Sequence, residues 1–245
     1  MTRLPETNRQ ASSFGCLYVV ATPIGNPADI STHAVAVLQA ADLILCEELK
    51  EGSRLLKQLG ISAALKELNE HNESSMIQDV LVELMNGKNL ALISDCGTPV
   101  FSDPGRQLIQ MLYETGVKVI PIPGASSLMS AISVCPFNLD EFYFAGFLPP
   151  KTEARQAVLR RLAGSNQPII LMDTPYRLGK LLDEVSAHFG KKQPIFLACD
   201  LTLPGEQLFL GEAQAVSRQV QNRKAEFILI IDRPRHRRTP HDATA

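Results

Sequence analysis

Nine short apolar runs, separated by stretches of helical periodicity, leave few architectures open to this chain. The runs are 16–21 (CLYVVA), 42–46 (DLILC), 90–94 (LALIS), 117–120 (VKVI), 142–145 (FYFA), 168–172 (PIILM), 194–198 (PIFLA), 207–210 (QLFL) and 227–231 (FILII). Several are continuous rather than alternating, the pattern of strands covered on both faces. Between them, 31–40, 53–59, 74–85, 104–114, 125–134, 152–162 and 175–189 carry apolar residues three and four apart, as in Ile77, Val80, Leu81, Leu84 and Met85. Ser31, Ser53 and Ser74 stand where N-caps belong, and Pro104 and Pro175 suit first helical turns. Gly60, Gly87, Gly116 and Gly190 follow helix ends, where a left-handed cap favours glycine. Strand–helix alternation of this kind predicts an α/β architecture.

The clearest break is 146–151 (GFLPPK), where two prolines stop regular structure after a strand-like run. It predicts two lobes: an α/β lobe over 16–145 with a mostly parallel sheet, and a second over 146–232. The runs on either side of 200–206 read as a hairpin, which gives the second lobe a mixed sheet. Residues 1–15 read as a flexible extension and 233–245 as a basic tail. That tail holds Arg233, Arg235, Arg237, Arg238 and His236, and is either a solvated end or an arm that touches RNA.

Composition narrows the function classes. With 45% hydrophobic and 20% charged residues, the 245-residue chain can bury a sizeable core. A net charge of -2 argues against coating nucleic acid by charge alone and leaves room for one local basic patch. The five cysteines are odd in number and scattered, with no CxxC pair, so free thiols in a reducing compartment are expected, with no disulfide framework and no metal site. No apolar run approaches the ~20 residues of a membrane span, and the first residues lack an apolar signal core. A cytoplasmic protein without a membrane partner is the expectation.

In open α/β sheets ligands bind at the carboxyl ends of strands. Three loops there are rich in glycine and proline: 22–27 (TPIGNP), 95–105 (DCGTPVFSDPG) and 121–127 (PIPGASS). Glycine admits a ligand to the backbone, proline fixes loop shape, and a helix starting after such a loop offers N–H groups to a carboxylate. Neither GxGxxG nor GxxxxGK[ST] occurs, which disfavours a dinucleotide or P-loop phosphate cradle. Cys96 has no basic neighbour in sequence and reads as a structural thiol.

At these loops the chain resembles the tetrapyrrole-methylase superfamily, and within it the ribosomal RNA small-subunit methyltransferase I family, which methylates a cytidine ribose 2'-hydroxyl. The matching segments, in order over roughly residues 16 to 232, are LYVVATPIGNPADIS, LCEE at 45–48, EHNE at 70–73, SDCGTPVFSDPG at 94–105, PIPGASS, FYFAGFLPPK at 142–151, DTPYR at 173–177 and EFILII at 226–231. The resemblance implies a two-lobed, homodimeric enzyme that takes S-adenosylmethionine as methyl donor between its lobes. Carried over by position, the donor pocket includes Ile24, Cys96, Gly97, Thr98, Phe101, Ser126 and Ser127. Met172, Leu201, Thr202 and Ala225 join it from the second lobe. For Phe101 and Met172, ordinary core packing is the competing reading.

Two segments depart from the family pattern. CEELK at 46–50 stands where CEDTR is usual, and ACDLTLPGE at 198–206 where an ARELTK-like stretch is usual. Lys50 thus replaces a planar, bidentate arginine with a point charge, which alters the acceptor side more than the donor side.

Methyl transfer to a hydroxyl demands alignment, and a base assists removal of the proton. Glu47, Glu48, Glu70, His71 and Asp95 are the candidates at strand ends and motif loops. Glu47 and His71 are assigned the catalytic role; Glu48, Lys50 and Arg177 are assigned to substrate. For His71 a structural role beside a helix start competes, and Arg177 could instead bridge the lobes. Three other functions stay open: a tetrapyrrole-type small-molecule methyltransferase, a non-catalytic RNA-binding assembly factor, and a nucleotide-sugar or NAD-dependent α/β protein.

Overall fold

The computed structural model describes residues 14–233. The readings of 1–13 and of 234–245, including most of the basic tail, lie outside the described residues. Phe14 and Gly15, assigned to the flexible extension, are anchored: the Gly15 N–H donates to Leu84 O at 2.8 Å and Phe14 packs on the core.

Two compact units divide the chain at Ser126/Ser127. In the first, β1 (Cys16–Val20), β2 (Leu43–Cys46), β3 (Leu65–Glu67), β4 (Leu90–Ile93) and β5 (Lys118–Ile122) form a sheet of order β3-β2-β4-β1-β5. Every ladder between these strands is parallel. Helices α1 (Thr32–Ala40) and α2 (Leu49–Leu59) cover one face through Ala34, Val37, Leu38 and Leu56. On the other face α3 (Glu73–Met85) and α4 (Arg106–Thr115) pack with Ile77, Val80, Leu84, Leu108 and Leu112. Successive strand residues therefore enter opposite cores. Leu90 and Leu92 meet α3 and α4 while Ala91 and Ile93 meet α1 and α2, which is why this run is apolar throughout.

The second unit holds α5 (Ser127–Val134), β6 (Tyr143–Phe147), α6 (Thr152–Leu162), β7 (Ile169–Asp173), α7 (Leu178–Phe189), β8 (Pro194–Cys199), β9 (Gln207–Glu212), α8 (Ala213–Gln219) and β10 (Phe227–Ile231). Its sheet runs β6-β7-β10-β8-β9, with β6 and β7 parallel and the remaining pairs antiparallel. This is the expected mixed sheet, with β8 and β9 as its hairpin. Helices α6, α7 and α8 pack on the face bearing Leu171, Leu197 and Leu229, and α5 packs through Ala131 on the face bearing Ile170, Phe196 and Ile230.

The structure corrects the expected division. Residues 127–145 were assigned to the first lobe, yet α5 and β6 belong to the second unit, because β6 pairs with β7 and α5 covers its sheet. The prolines of 146–151 mark the loop after β6 inside that unit. Two elements were absent from the sequence reading. Strand β3 is a three-residue edge strand, LKE, with no apolar run, and α8 buries Ala213 and Val216 in only seven residues. Of the three serine caps only Ser31 is one, its Oγ accepting from Ala34 N at 3.0 Å. Ser53 lies inside α2, which starts at Leu49, and Ser74 lies inside α3, which starts at Glu73.

Candidate functional site

Adjacent parallel strands β1 and β4 send their chains to opposite faces, β1 toward α1 and β4 toward α4. The loops after them therefore diverge at the carboxyl edge of the sheet, the topological switch point where open α/β sheets take ligands. Thr22 and Gly97 pin the loops together there as an isolated antiparallel bridge, with N–H···O distances of 2.8 and 3.2 Å. Buried Thr22 and Ser94 reinforce it: the Thr22 hydroxyl donates to Ser94 O at 3.3 Å and the Ser94 hydroxyl to Gly97 O at 3.3 Å.

Gly97 has φ +80, and a Cβ built there would lie 3.3 Å from Ile24 Cγ2 and 3.9 Å from Ala125 O. The Thr98 hydroxyl donates to the same Ala125 carbonyl at 3.2 Å, which ties the loop after β5 into the group. Ile24, Gly97 and Thr98 are thus brought together. Thr22, Ile24, Ser94, Asp95 and Cys96 line a cavity of about 170 Å³. Phe101 is 48% exposed rather than core-packed. Val100, β-branched, holds a left-handed φ of 72 and packs against the first core; such an outlier costs roughly 1–3 kcal/mol and marks a loop held by its surroundings.

The loop has its own buried anchor. Glu73, 6% exposed, aims Oε1 at the start of α4 and accepts from the N–H groups of Gly105, Gln107 and Leu108 at 3.1, 2.8 and 3.2 Å. The expectation that this helix start offers N–H groups to a ligand carboxylate is overturned, since an internal carboxylate already occupies them. At the start of EHNE, Asn72 and the preceding Asn69 lock a turn: Asn69 Oδ1 accepts from His71 N at 3.0 Å, and Asn72 Oδ1 from Asn69 N at 2.8 Å.

A second concavity, of about 450 Å³, lies along the ends of β2 and β3 and brings together Glu47, Glu48, Lys50, Asn69, Glu70 and His71. Five of the sequence candidates meet there. Burial pushes the Glu47 carboxyl up to about 7, and Asp103, Asp95, Glu48 and Glu70 push in the same direction. Burial also raises Asp103, against a hydrogen bond from Ser94, and raises Asp95, against the Glu48 N–H that reaches Asp95 Oδ1 at 3.3 Å. Asp95 links the two concavities, since it lines the cavity beside Thr22 and Ile24 and acts on Glu47. Neither Glu73 nor Asp103 was singled out from sequence, although both lie in quoted motifs.

In the second unit, Met172 and Leu201 pack on the α5 face of the sheet, whereas Ala225 is buried in the core on the opposite face. Thr202 (φ 66) and Asp200 (φ 52) hold left-handed conformations in the β8–β9 turn. That turn is fixed by Thr202 N–H to Glu206 Oε2 at 2.7 Å and by an Arg223–Asp200 ion pair of 2.7 Å. Arg177 donates through Nε to Asp173 Oδ1 at 2.7 Å, so its guanidinium shapes the DTPYR turn. Ser126 is the last residue of the first unit and Ser127 the first of the second, where it opens α5. Among the described residues no cluster of three or more His, Cys, Asp or Glu could hold a metal ion, and no helix is long and apolar enough to cross a membrane.

The family model for Tetrapyrrole (Corrin/Porphyrin) Methylases matches residues 16–217. A ribosomal RNA small subunit methyltransferase I of Escherichia coli O157:H7 is 37% identical, the match covering 90% of this chain and 79% of that one. Relatives of the same name from Neisseria meningitidis serogroup B and Synechocystis are 38% and 39% identical, each over 89% of this chain and over 76% and 79% of their own. The fold also matches a uroporphyrin-III-C-methyltransferase of Thermus thermophilus with a TM-score of 0.62 at 20% identity, over 89% of this chain and 94% of that one. With its switch-point loops built on these segments, the chain belongs to the tetrapyrrole (corrin/porphyrin) methylase family of S-adenosylmethionine-dependent methyltransferases.

Proposed function

We propose that this member methylates ribosomal RNA of the small subunit, at a ribose 2'-hydroxyl as the family resemblance implies, and that it works as a cytoplasmic homodimer. The names of the relatives support the RNA acceptor. The observation that carries the chemistry is the junction at Asp95, where the glycine-bridged loops adjoin a groove holding a carboxyl poised near 7.

The residues fit S-adenosylmethionine. Gly97 presents bare backbone where a Cβ would crowd Ile24, Ile24 offers an apolar wall beside it, and the Thr22–Gly97 bridge keeps both in place. Ile24, Gly97 and Thr98 would hold the donor, with Cys96, Phe101, Ser126 and Ser127 flanking it by position in the motifs. Met172, Leu201, Thr202 and Ala225 are assigned to it by the resemblance alone. When bound, the donor supplies a methyl group on a sulfonium. The remaining steps belong to the chain. Glu47 accepts the proton of the acceptor hydroxyl as the oxygen–carbon bond forms and the sulfur–carbon bond breaks, which leaves a neutral thioether. A carboxyl near 7 is half ionised at neutral pH and matches that task. Rigid loops contribute alignment, which can supply ~7–11 kcal/mol of the barrier. Glu48, Lys50 and His71 orient the acceptor, and Arg177 acts on substrate through the turn that it stabilises.

The groove is acidic, which suits a neutral hydroxyl at the reacting position. Incubation with methyl-labelled S-adenosylmethionine and unmodified small-subunit RNA tests the proposal. Label recovered in a 2'-O-methyl nucleoside supports it; label on a base, or only in small molecules, refutes it.

A further inference from the structure

The groove that takes the acceptor carries Glu47, Glu48 and Glu70, with Asp95 and Asp103 beside it, against Lys50. A polyanion presenting one ribose there is repelled by the surroundings of its own target, so its grip must come from another surface. The second unit has one of suitable chemistry. Tyr176, in the short turn after β7, is 79% exposed, and Lys224 Nζ lies 4.9 Å from its ring centroid. The turn is rigid: buried Asp173 accepts from Thr174 N at 2.6 Å and from Arg177 Nε at 2.7 Å, and Arg177 N–H returns to Thr174 O at 3.0 Å. One helical turn further on, Lys180 Nζ donates to Thr152 Oγ1 at 3.3 Å, beside Lys151.

Nearby carboxylates are matched by arginines: Asp173 by Arg177, Glu184 by Arg155 and Asp200 by Arg223. Glu153 and Glu226 remain as counter-charges to Lys151, Lys180 and Lys224, so the surface is biased to positive rather than strongly basic.

We propose that Tyr176, with Lys224, Lys180 and Lys151, forms a platform for single-stranded RNA, the ring stacking an unpaired base and the lysines meeting the flanking phosphates. The exposed ring on a fixed turn is preorganised for stacking, and the three ammonium groups suit a backbone passing over the turn. An acidic groove for the reacting ribose and a mildly basic aromatic platform for another stretch of the RNA divide recognition between chemistry and grip. The proposal rests on the RNA reading above.

Anisotropy of a labelled single-stranded small-subunit RNA fragment tests it, on the full chain and without methyl donor. Tyr176→Ala should weaken binding about tenfold while Tyr176→Phe stays near wild type. Lys224→Ala should lower the salt slope by ~0.7. S-adenosylmethionine affinity and melting temperature should not move in any variant. Unchanged RNA affinity in Tyr176→Ala/Lys224→Ala overturns the platform, as does equal binding of duplex RNA or of an acidic polypeptide, which would mark charge alone. Methylation assayed alongside separates the two readings. Label in RNA with Tyr176-independent binding removes only the platform; Tyr176-dependent binding without label in any RNA keeps the platform and removes the acceptor.

Discussion

Glu73 Oε1 accepts the Gln107 N–H at 2.8 Å, joining the first residue of α3 to the first turn of α4 across 34 positions of sequence. Two further N–H groups, those of Gly105 and Leu108, share the same oxygen. A helix start has donors without intrahelical partners and a positive dipole end, so a buried carboxylate there satisfies both. Glu73→Ala should cost roughly 2–3 kcal/mol in urea denaturation, through three stranded donors and a small cavity. Glu73→Gln keeps an acceptor and loses the charge, so it should fall between wild type and alanine. A loss under ~0.5 kcal/mol for the alanine variant would show that water replaces the carboxylate without penalty.

Glu47 gives a pH signature of definite sign. Its proton leaves at about 7 in the folded chain, against 4.5 for an unperturbed carboxyl. Single-turnover methyl transfer should therefore rise as pH passes through 7 and level above it, and Glu47→Gln should slow it by roughly 10²–10⁴-fold. Stability runs the other way. Between pH 4.5 and 7 the folded state keeps a proton that the unfolded state has released, so folding weakens as pH rises through that window. Because the carboxyl is partly solvent-facing, the change should be on the order of 1 kcal/mol. Glu47→Gln should lose less melting temperature than wild type between pH 5 and 8; parallel melting curves would argue that Glu47 is not perturbed.

Much of the fold was legible because strands covered on both faces must be apolar throughout, and Leu90–Ile93 and Phe227–Ile231 are. Edge strand β3 escaped notice because Leu65, Lys66 and Glu67 present no such run. The misplaced boundary has a physical origin: prolines at 149 and 150 mark a loop, and a loop does not reveal which sheet its neighbouring strand joins. For the site, the motifs located the loops but not their internal bonds. Glu73 did leave a trace, since it continues the Ile77, Val80 and Leu84 stripe, and a carboxylate on a core-facing stripe needs a partner. The raised carboxyl of Glu47 left none, because it depends first on burial and then on Asp103 and Asp95, which only the fold brings about.

Gly97 and Gly60 separate backbone strain from ligand contact. Both hold a left-handed φ, +80 and +66, so alanine should cost each ~1–2 kcal/mol of folding stability. Only at Gly97 does a Cβ meet neighbours, with Ile24 Cγ2 at 3.3 Å; at Gly60 nothing lies within 4 Å. Calorimetric titration with S-adenosylmethionine should show at least about tenfold weaker binding for Gly97→Ala and wild-type binding for Gly60→Ala. Equal loss in both variants would assign the effect to general destabilisation.

Arg155 holds the second unit's FLPP loop from below. Its guanidinium, 2% exposed, is bidentate to Glu184 at 2.6 and 2.8 Å, and its Nη1 donates to the carbonyls of Pro149 and Pro150 at 3.2 and 2.8 Å. Prolines lack an N–H but keep a carbonyl, so a loop of two of them needs a donor from outside, and a planar guanidinium can serve both carbonyls and a carboxylate at once. Arg155→Met should cost roughly 3–5 kcal/mol, because it strands the partly buried Glu184 carboxylate and both carbonyls. Adding Glu184→Leu removes the stranded charge but not the carbonyls, so the double variant should recover only part of the loss. Arg155 holds the Glu184 carboxyl below its ordinary range, so this contribution is present above that range and fades as pH falls through the lowered value. Urea denaturation of the wild type, Arg155→Met and the double variant at neutral and acid pH checks each step. Full recovery in the double variant would mean that the proline carbonyls find water, and that Arg155 serves Glu184 alone.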